Sequence, residues 1–315
     1  MDKIAFVIPT FNRRDCLCRL LGQLRAQVPG GVEMFTVVVV DGSTDGTLEM
    51  LKSEFPEIHV VLGDGEWWWT GSINQGCKRA VKKGAEAVLL MNDDTEVEPG
   101  FVISLLEKAE VCPGAVIGSL NVTKEEPHRV YFSGVKRIVW WKAKSVRYHK
   151  IFEFYDRSLS GLHESVILMG RGLFIPTSVF DRIGFFDEEA FPQYKADVDF
   201  VLTAFENGIG TFISWDSVVY SHMGLTGRGV TFTSQGFFGF LGSFFGKNTC
   251  NNLLHSFRYY RKHCPWYLLP LSFIVDKMRL IYSYLSKRTL SSEFSQKFLE
   301  VQEPFFKKVS GRRRQ

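Results

Sequence analysis

The sequence predicts an α/β fold, a mostly parallel sheet with helices on both faces, followed by a mainly helical C-terminal region. Three observations carry this expectation. Short apolar, β-branched runs alternate with stretches of helical spacing through the first hundred residues. The runs are continuous rather than alternating, as strands buried on both faces of a parallel sheet are. Charge also divides the chain: residues 226–315 carry fifteen Lys and Arg against four Asp and Glu, whereas residues 1–225 carry 23 against 30. An acidic body and a basic, Phe-rich tail suggest two regions with different partners.

The strands are expected at residues 4–8, 35–40, 58–62 and 87–91. Between them Leu17, Leu20, Leu21 and Leu24, then Leu48, Leu51 and Phe55, recur at helical spacing, with Asp45 as N-cap of the second helix. Strand and helix alternating in this way give a doubly wound layer. Asp197 falls near the start of a later helix marked by Val201, Leu202 and Phe205, and β-like runs lie at 211–213 and 218–220. The opening residues read as a strand, with neither the basic n-region nor the cleavage site of a signal peptide. Six cysteines without a CxxC pair make a reduced, intracellular setting the expectation.

Open sheets of this kind bind ligands at the carboxyl ends of their strands. Those ends read Pro9-Thr10-Phe11-Asn12-Arg13, Asp41-Gly42-Ser43-Thr44-Asp45-Gly46, Gly63-Asp64-Gly65 and Asn92-Asp93-Asp94-Thr95. Asp, Asn and Gly are ordinary turn residues, so each segment alone could be only a turn. All four on one edge point to a polar site. Asp41 can accept hydrogen bonds from a base or ribose, and Asp93-Asp94 can hold a hard divalent cation. Such a cation would neutralise charge growing on a departing diphosphate. Asp197, at a helix N-terminus, reads as ordinary charge complementarity to the helix dipole or as a general base, and His222, after a strand, as a structural or solvated histidine or as a metal ligand.

Other chemistries lack their residues. The nearest approach to a P-loop, residues 46–53, has Leu51 where the second glycine belongs, and Gly63-Asp64-Gly65 runs into Glu66-Trp67-Trp68 without the third glycine of a dinucleotide motif. No GxSxG or HExxH occurs. The basic tail has no nucleic-acid recognition pattern.

Ile8-Pro9-Thr10-Phe11-Asn12-Arg13, residues 40–47 (Val-Asp-Gly-Ser-Thr-Asp-Gly-Thr) and Met91-Asn92-Asp93-Asp94-Thr95 resemble the N-terminal signatures of family 2 glycosyltransferases. Residues 68–76, Gly170-Arg171-Gly172, residues 184–188 and 196–200 are similar to its bacterial rhamnosyltransferase and galactofuranosyltransferase-like branch, so the resemblance covers about residues 4–226. It implies a GT-A fold over residues 1–226, with residues 227–315 as a separate helical region, and inverting transfer of a rhamnose-like or galactofuranose-like sugar from a nucleotide diphosphate. The acceptor it implies is a hydroxyl of a glycan or lipid-linked saccharide. Position by position, it implies that Pro9, Thr10 and Asn12 line the nucleotide pocket and Asp41 holds the base. Asp94, assisted by Asn92 or Asp93, would hold Mg²⁺ or Mn²⁺ and the diphosphate, with His222 at the metal or diphosphate. Gly170, Arg171 and Gly172 would lie near the donor sugar and acceptor, and Asp197 would be the base. Two departures stand out: Asn92 opens the usual DxD, and Ala196 replaces the acidic residue usual before the base.

Trp67-Trp68-Trp69 stand between a strand end and a helix start. Packing would explain them; on the ligand edge, stacking of one, Trp69 above all, on a sugar or base is the other reading. Asn74 would then face the diphosphate from the helix N-terminus. In the tail, residues 236–246 are too short to span a bilayer and residues 264–285 contain Asp276, Lys277 and Arg279. Flanked by Arg258, Arg261, Lys262, Lys287 and Arg288, this stretch fits a segment lying on an anionic membrane at the cytoplasmic face, or else a helical subdomain packed on the body or on a second copy. The terminal Arg312-Arg313-Arg314 reads as a frayed end. Two further functional readings stand beside the enzyme: a catalytically silent saccharide-binding or scaffolding module, which Asn92 favours, and a nucleotidyltransferase, which lacks a glycine- and lysine-rich first loop.

Overall fold

The structure, a computed structural model, describes residues 1–27, 31–224, 236–246 and 249–289. Its first half alternates as the periodicity predicts: β1 (Lys3–Thr10), α1 (Arg14–Arg25), β2 (Glu33–Asp41), α2 (Thr47–Glu54), β3 (His59–Gly63), α3 (Trp68–Lys82) and β4 (Ala87–Leu90). Then follow β5 (Thr95–Val97), α4 (Phe101–Val111), β6 (Val116–Thr123), β7 (Val130–Phe132), β8 (Val135–Val139), β9 (Lys144–Arg147), β10 (Leu162–Glu164) and β11 (Leu173–Pro176). The described chain closes with α5 (Thr177–Ile183), α6 (Ala196–Glu206), β12 (Thr211–Ser221), α7 (Phe237–Gly242), α8 (Leu253–His263) and α9 (Leu269–Thr289).

The main sheet runs β10-β12-β6-β11-β4-β1-β2-β3, with β5 paired to β12 and β7 to β6. β1 is parallel to both β2 and β4, and β12 is parallel to β6, while β11 is antiparallel to the strands on either side of it. Consecutive residues go to opposite faces: Val37 joins one core cluster with Ile73 and Phe200, and Val38 joins the other with Leu17 and Phe101. This two-sided burial is why the strands read as unbroken apolar runs. α3 lies close against the sheet at Gly76, where a Cβ would meet Val7 Cγ1 at 2.4 Å.

Two local expectations are corrected. The two short runs near 211 and 218 form the single strand β12, whose register shifts between Ser214 and Val218. The N-cap of α2 is Gly46, in the left-handed region, rather than Asp45. Asp45 still accepts from the Thr47 N–H (3.2 Å) and from the Arg14 N–H (2.9 Å), so one carboxylate ties the starts of α1 and α2 together.

α8 is packed into the body: its Tyr259 and Tyr260, with Cys264, belong to the same core cluster as Phe200 of α6. Among the described residues no helix is long and apolar enough to cross a membrane. The side chains of Lys287 and Arg288, and Arg312–314, lie outside the described residues.

Candidate functional site

The strand-end residues converge at the carboxyl edge of the sheet. β4 is followed by Asn92-Asp93-Asp94, where Asp93 is 5% and Asp94 2% exposed. Burying two adjacent carboxylates requires partners. Thr10 Oγ1 donates to Asp93 Oδ2 at 2.9 Å, and Arg13 Nη1 lies 3.0 Å from Asp93 Oδ1 and 3.2 Å from Asp94 Oδ2. Burial pushes the Asp93 carboxyl up to about 6, with the Asp94 charge adding to the rise and Arg13 and Thr10 opposing it. Burial also acts against the Arg13 charge, but Asp93 and Asp94 outweigh it and raise the guanidinium above its ordinary value. Pro9 pairs with Val39 of β2, beyond the last β1–β4 partners, Val7 and Leu90. Asn12, at φ 52°, accepts from the Thr44 N–H at 2.7 Å while its own N–H donates to Ser43 Oγ at 3.0 Å. The ends of β1 and β2 are thereby latched together.

Asp41 is held by three backbone donors. Its Oδ1 accepts from the Gly65 N–H (2.8 Å) and its Oδ2 from the Trp67 and Trp68 N–H groups (both 3.1 Å). The carboxylate shapes the loop that enters α3, leaving about one lone pair of four for a ligand. Trp69 is engaged on several sides by the chain itself. Its Nε1 donates to Asn92 Oδ1 at 3.0 Å, its ring meets Phe186 edge-on at 6.0 Å, and a Cβ on Gly170 would strike it at 2.4 Å. Asn92 therefore anchors Trp69. Asn74 does not face a diphosphate: its amide donates to the Phe186 carbonyl and Glu188 Oε2 and accepts from the Phe186 N–H. Trp68, at 39% exposure and φ 55°, is the member of the triplet that faces outward.

The turn Gly170-Arg171-Gly172 joins the two carboxylates singled out for chemistry. The Gly170 N–H donates to Asp197 Oδ2 at 3.1 Å, and Asp197 Oδ1 accepts from the Val198 N–H at 2.9 Å. One residue on, Arg171 Nη1 stands 3.9 Å from Asp94 Oδ1. Gly172 has φ +70°, and a Cβ there would lie 2.6 Å from Ser119 Oγ, so only glycine fits. Asn121 of β6 supports the turn from below, donating to the Ser119 carbonyl at 2.7 Å and to the Arg171 carbonyl at 3.4 Å. Asp94 Oδ1 and Arg171 Nη1 are both buried without a hydrogen-bond partner among the described residues. Leaving a buried charged group so costs at least about 1–3 kcal/mol, which a ligand between them would recover.

His222 is brought to Asp94 by backbone, its N–H donating to the Asp94 carbonyl at 3.2 Å. Its side chain turns elsewhere, with Nε2 2.7 Å from Glu96 Oε1, so that nitrogen is held by a carboxylate. Burial would raise the Glu96 carboxyl, but Lys124 and His222 outweigh it and bring it down to about 2. No group of three His, Cys, Asp or Glu among the described residues is placed to hold a metal ion. The residues do fit a cation of the Mg²⁺ kind, which takes one or two carboxylates and completes its shell with water and phosphate oxygens; Asp94 Oδ1 is the open protein ligand. A cavity of 610 Å³ opens at the opposite, amino edge of the sheet, beside Met1, Glu86 and Pro176, and none of the predicted site residues lines it.

Reading along the chain missed Arg13 as a site residue, although it was the cation in the first of four polar strand ends. It also missed Asn121 and Glu96, whose partners lie far away in sequence and leave no local signal.

Residues 5–172 match the family model for glycosyl transferase family 2. The chain is 24% identical over 174 residues to a dTDP-rhamnosyl transferase, RfbF, of Shigella flexneri, covering 55% of each protein. It is 30% identical over 123 residues to an undecaprenyl-phosphate mannosyltransferase of Micrococcus luteus, 38% of this chain and 49% of that one. Over 138 residues it is 28% identical to a GalNAc(5)-diNAcBac-PP-undecaprenol beta-1,3-glucosyltransferase of Campylobacter jejuni, 42% of this chain and 43% of that one. The chain thus spans about half the length of the curated relatives it matches. Among solved structures, GalNAc-T7 with UDP, GalNAc and Mn²⁺ shares the fold at TM-score 0.58 and 14% identity, over 70% of this chain and 44% of that one. TarS of S. aureus in complex with UDP does so at TM-score 0.50 and 18% identity, over 70% and 60%. By sequence model and by its GT-A fold, the chain belongs to glycosyl transferase family 2.

Proposed function

We propose that the protein is an inverting glycosyltransferase that moves a rhamnose-like or galactofuranose-like sugar from a nucleoside diphosphate to a hydroxyl of a glycan or lipid-linked saccharide. The single observation that carries the reading is the 170–172 turn, which bonds Asp197 at Gly170 and sets Arg171 against Asp94. An acceptor hydroxyl oxygen attacks the anomeric carbon as its proton passes to Asp197. The bond from that carbon to the diphosphate oxygen breaks, and the electron pair leaves with the diphosphate. Backbone N–H groups on both Asp197 oxygens fix the carboxylate's aim before the acceptor arrives. Arg13 and Arg171 stand where negative charge grows on the leaving group. Asp94 would hold Mg²⁺ or Mn²⁺, which would supply Lewis-acid stabilisation of the same charge.

One curated relative's name, dTDP-rhamnosyl transferase, supports a nucleotide-linked donor, and the names of the other two support an undecaprenyl-linked substrate. A lipid-linked acceptor calls for a membrane-facing surface. The C-terminal region from residue 227 supports one: Phe238 is 86%, Trp266 84% and Phe245 77% exposed, in a segment of strongly positive sequence charge. Such exposed aromatic side chains among cations suit an anionic bilayer at its cytoplasmic side; pairing with a second copy would bring two cationic segments together. The competing reading, a catalytically silent saccharide-binding module, rests on Asn92. The two are separated by incubating the chain with dTDP-rhamnose or UDP-galactofuranose and Mg²⁺ or Mn²⁺. Metal-dependent release of nucleoside diphosphate, lost in Asp197→Asn when acceptor is present, supports the enzyme. Binding without turnover of any donor under all these conditions supports the module.

A further inference from the structure

α6 presents opposite faces to two different environments. Asp197 and Asp199 lie roughly 200° apart around the helix. Asp197 reaches the Gly170 N–H on one side. On the other, Asp199 is 2% exposed and accepts from Lys262 Nζ at 2.8 Å, with His263 Nε2 2.9 Å from its second oxygen. His263 Nδ1 lies 3.0 Å from both Glu206 oxygens at the far end of α6. α8 also grips the segment that leads into α6. Arg258 Nη1 donates to the Glu189 carbonyl at 2.8 Å, and Lys195, at φ 74° just before the helix, sits over the Tyr259 ring at 5.3 Å.

We infer that His263 is a positioning residue for the transfer reaction: as an imidazolium it clamps both ends of α6 from behind, holding Asp197 in register against the 170–172 turn. The inference rests on Asp197 being the base. Its physical basis is the geometry of the ring, in which both nitrogens face carboxylates. A neutral imidazole carries one N–H and can donate to only one of them; the imidazolium donates to both. Charge agrees, since Lys262 and a charged His263 match Asp199 and Glu206. The other groups facing the cluster are the Tyr259 ring of α8, 5.3 Å from that of His263, and Asp276 of α9, which acts on Tyr259. Burial disfavours the charged ring, but Asp199 and Glu206 outweigh it and raise its pKa above the ordinary 6.5. When the proton is lost, one nitrogen turns a lone pair toward a carboxylate, and the grip on one end of α6 is released.

Amide exchange read by mass spectrometry over a pH series tests this on the full chain, because the Gly170 and Val198 N–H groups both bond Asp197 and report its placement directly. In the wild type, exchange of the segments holding Gly170 and Val198 should accelerate, beyond the intrinsic pH effect, as His263 deprotonates. In His263→Gln it should be about tenfold faster already at acid pH, with β1–β4 unchanged. Turnover of the donor established above should fall about ten- to a hundredfold with its KM unmoved. Glu206→Gln keeps Asp199 and its partners, so should His263→Gln fail to fold it serves as the second variant; it should move the opening to lower pH. Wild-type exchange at Gly170 and Val198 in His263→Gln, or an unmoved midpoint in Glu206→Gln, overturns the clamp. A fully active Asp197→Asn overturns the base assignment alone, leaving the exchange results to decide the placement of α6.

Discussion

At the carboxyl edge of the sheet, polar side chains are bonded to one another across long stretches of sequence, whereas on α7 and α9 large apolar side chains face outward. Thr10, Arg13, Asp93 and Asp94 form one connected set, and Asn74, 3% exposed, engages a loop more than a hundred residues away. Phe238, Phe245, Met278 and Tyr282 are each more than half exposed. The first region is organised before any ligand arrives, as charge stabilisation of a leaving group requires. The second gains by burial only when something else covers it. On the proposed function, chemistry and docking would lie in different parts of the chain, joined through α8.

Substitutions can break this comparison on either side. The largest effect is expected at Asp197: the Asn variant should lose roughly 10²–10⁴-fold in turnover while still binding nucleoside diphosphate by calorimetry. Asp94→Ala should lose about 10²–10³-fold, and its remaining activity should no longer respond to chelator; activity equal to wild type in either variant would separate the carboxylate concerned from the reaction. On the other side, Phe238→Ser with Trp266→Ser should remove about 1.5–3 kcal/mol of burial per side chain, seen as lost sedimentation with phosphatidylglycerol vesicles at unchanged donor turnover. Lost turnover with retained vesicle binding would reverse the assignment of the two regions.

Smaller effects sharpen the comparison. Gly170→Ala should cost about 1–3 kcal/mol in urea unfolding, because its methyl would collide with Trp69. At the junction, the pKa of His263 is raised in the folded chain, so the stability it lends is complete below about 6.5 and is lost as pH rises through the raised value. The melting temperature of the wild type should fall over that interval more steeply than that of His263→Gln; parallel curves would show that His263 carries no linked proton.

The α/β class and the four leading strands were legible because each strand is a continuous apolar run with a polar end. β5, β7 and β10 were not, since three residues leave no pattern. The gathering of acidic ends on one edge followed from the sheet rule alone. What individual side chains do there did not. Asp41, Asn74 and Asn92 are all the residue types a ligand site uses, yet each is engaged by backbone or by Trp69 through partners that no local window contains. His222 bonds the Asp94 carbonyl through its backbone, and its ring goes to Glu96, a partner that no local window contains. Arg13 leaves no local signal of its role, because its approach to both carboxylates follows only from the fold.

The central claim is that one three-residue turn gathers Asp94, Arg171 and Asp197 around a single donor. A crystal structure of the chain grown with thymidine or uridine diphosphate and Mn²⁺ tests it most directly. The account predicts the β-phosphate against Asp94 and Arg171, with the space beyond it opening toward Asp197. A diphosphate bound at the amino edge of the sheet, or one with Asp197 turned away behind α6, would contradict it.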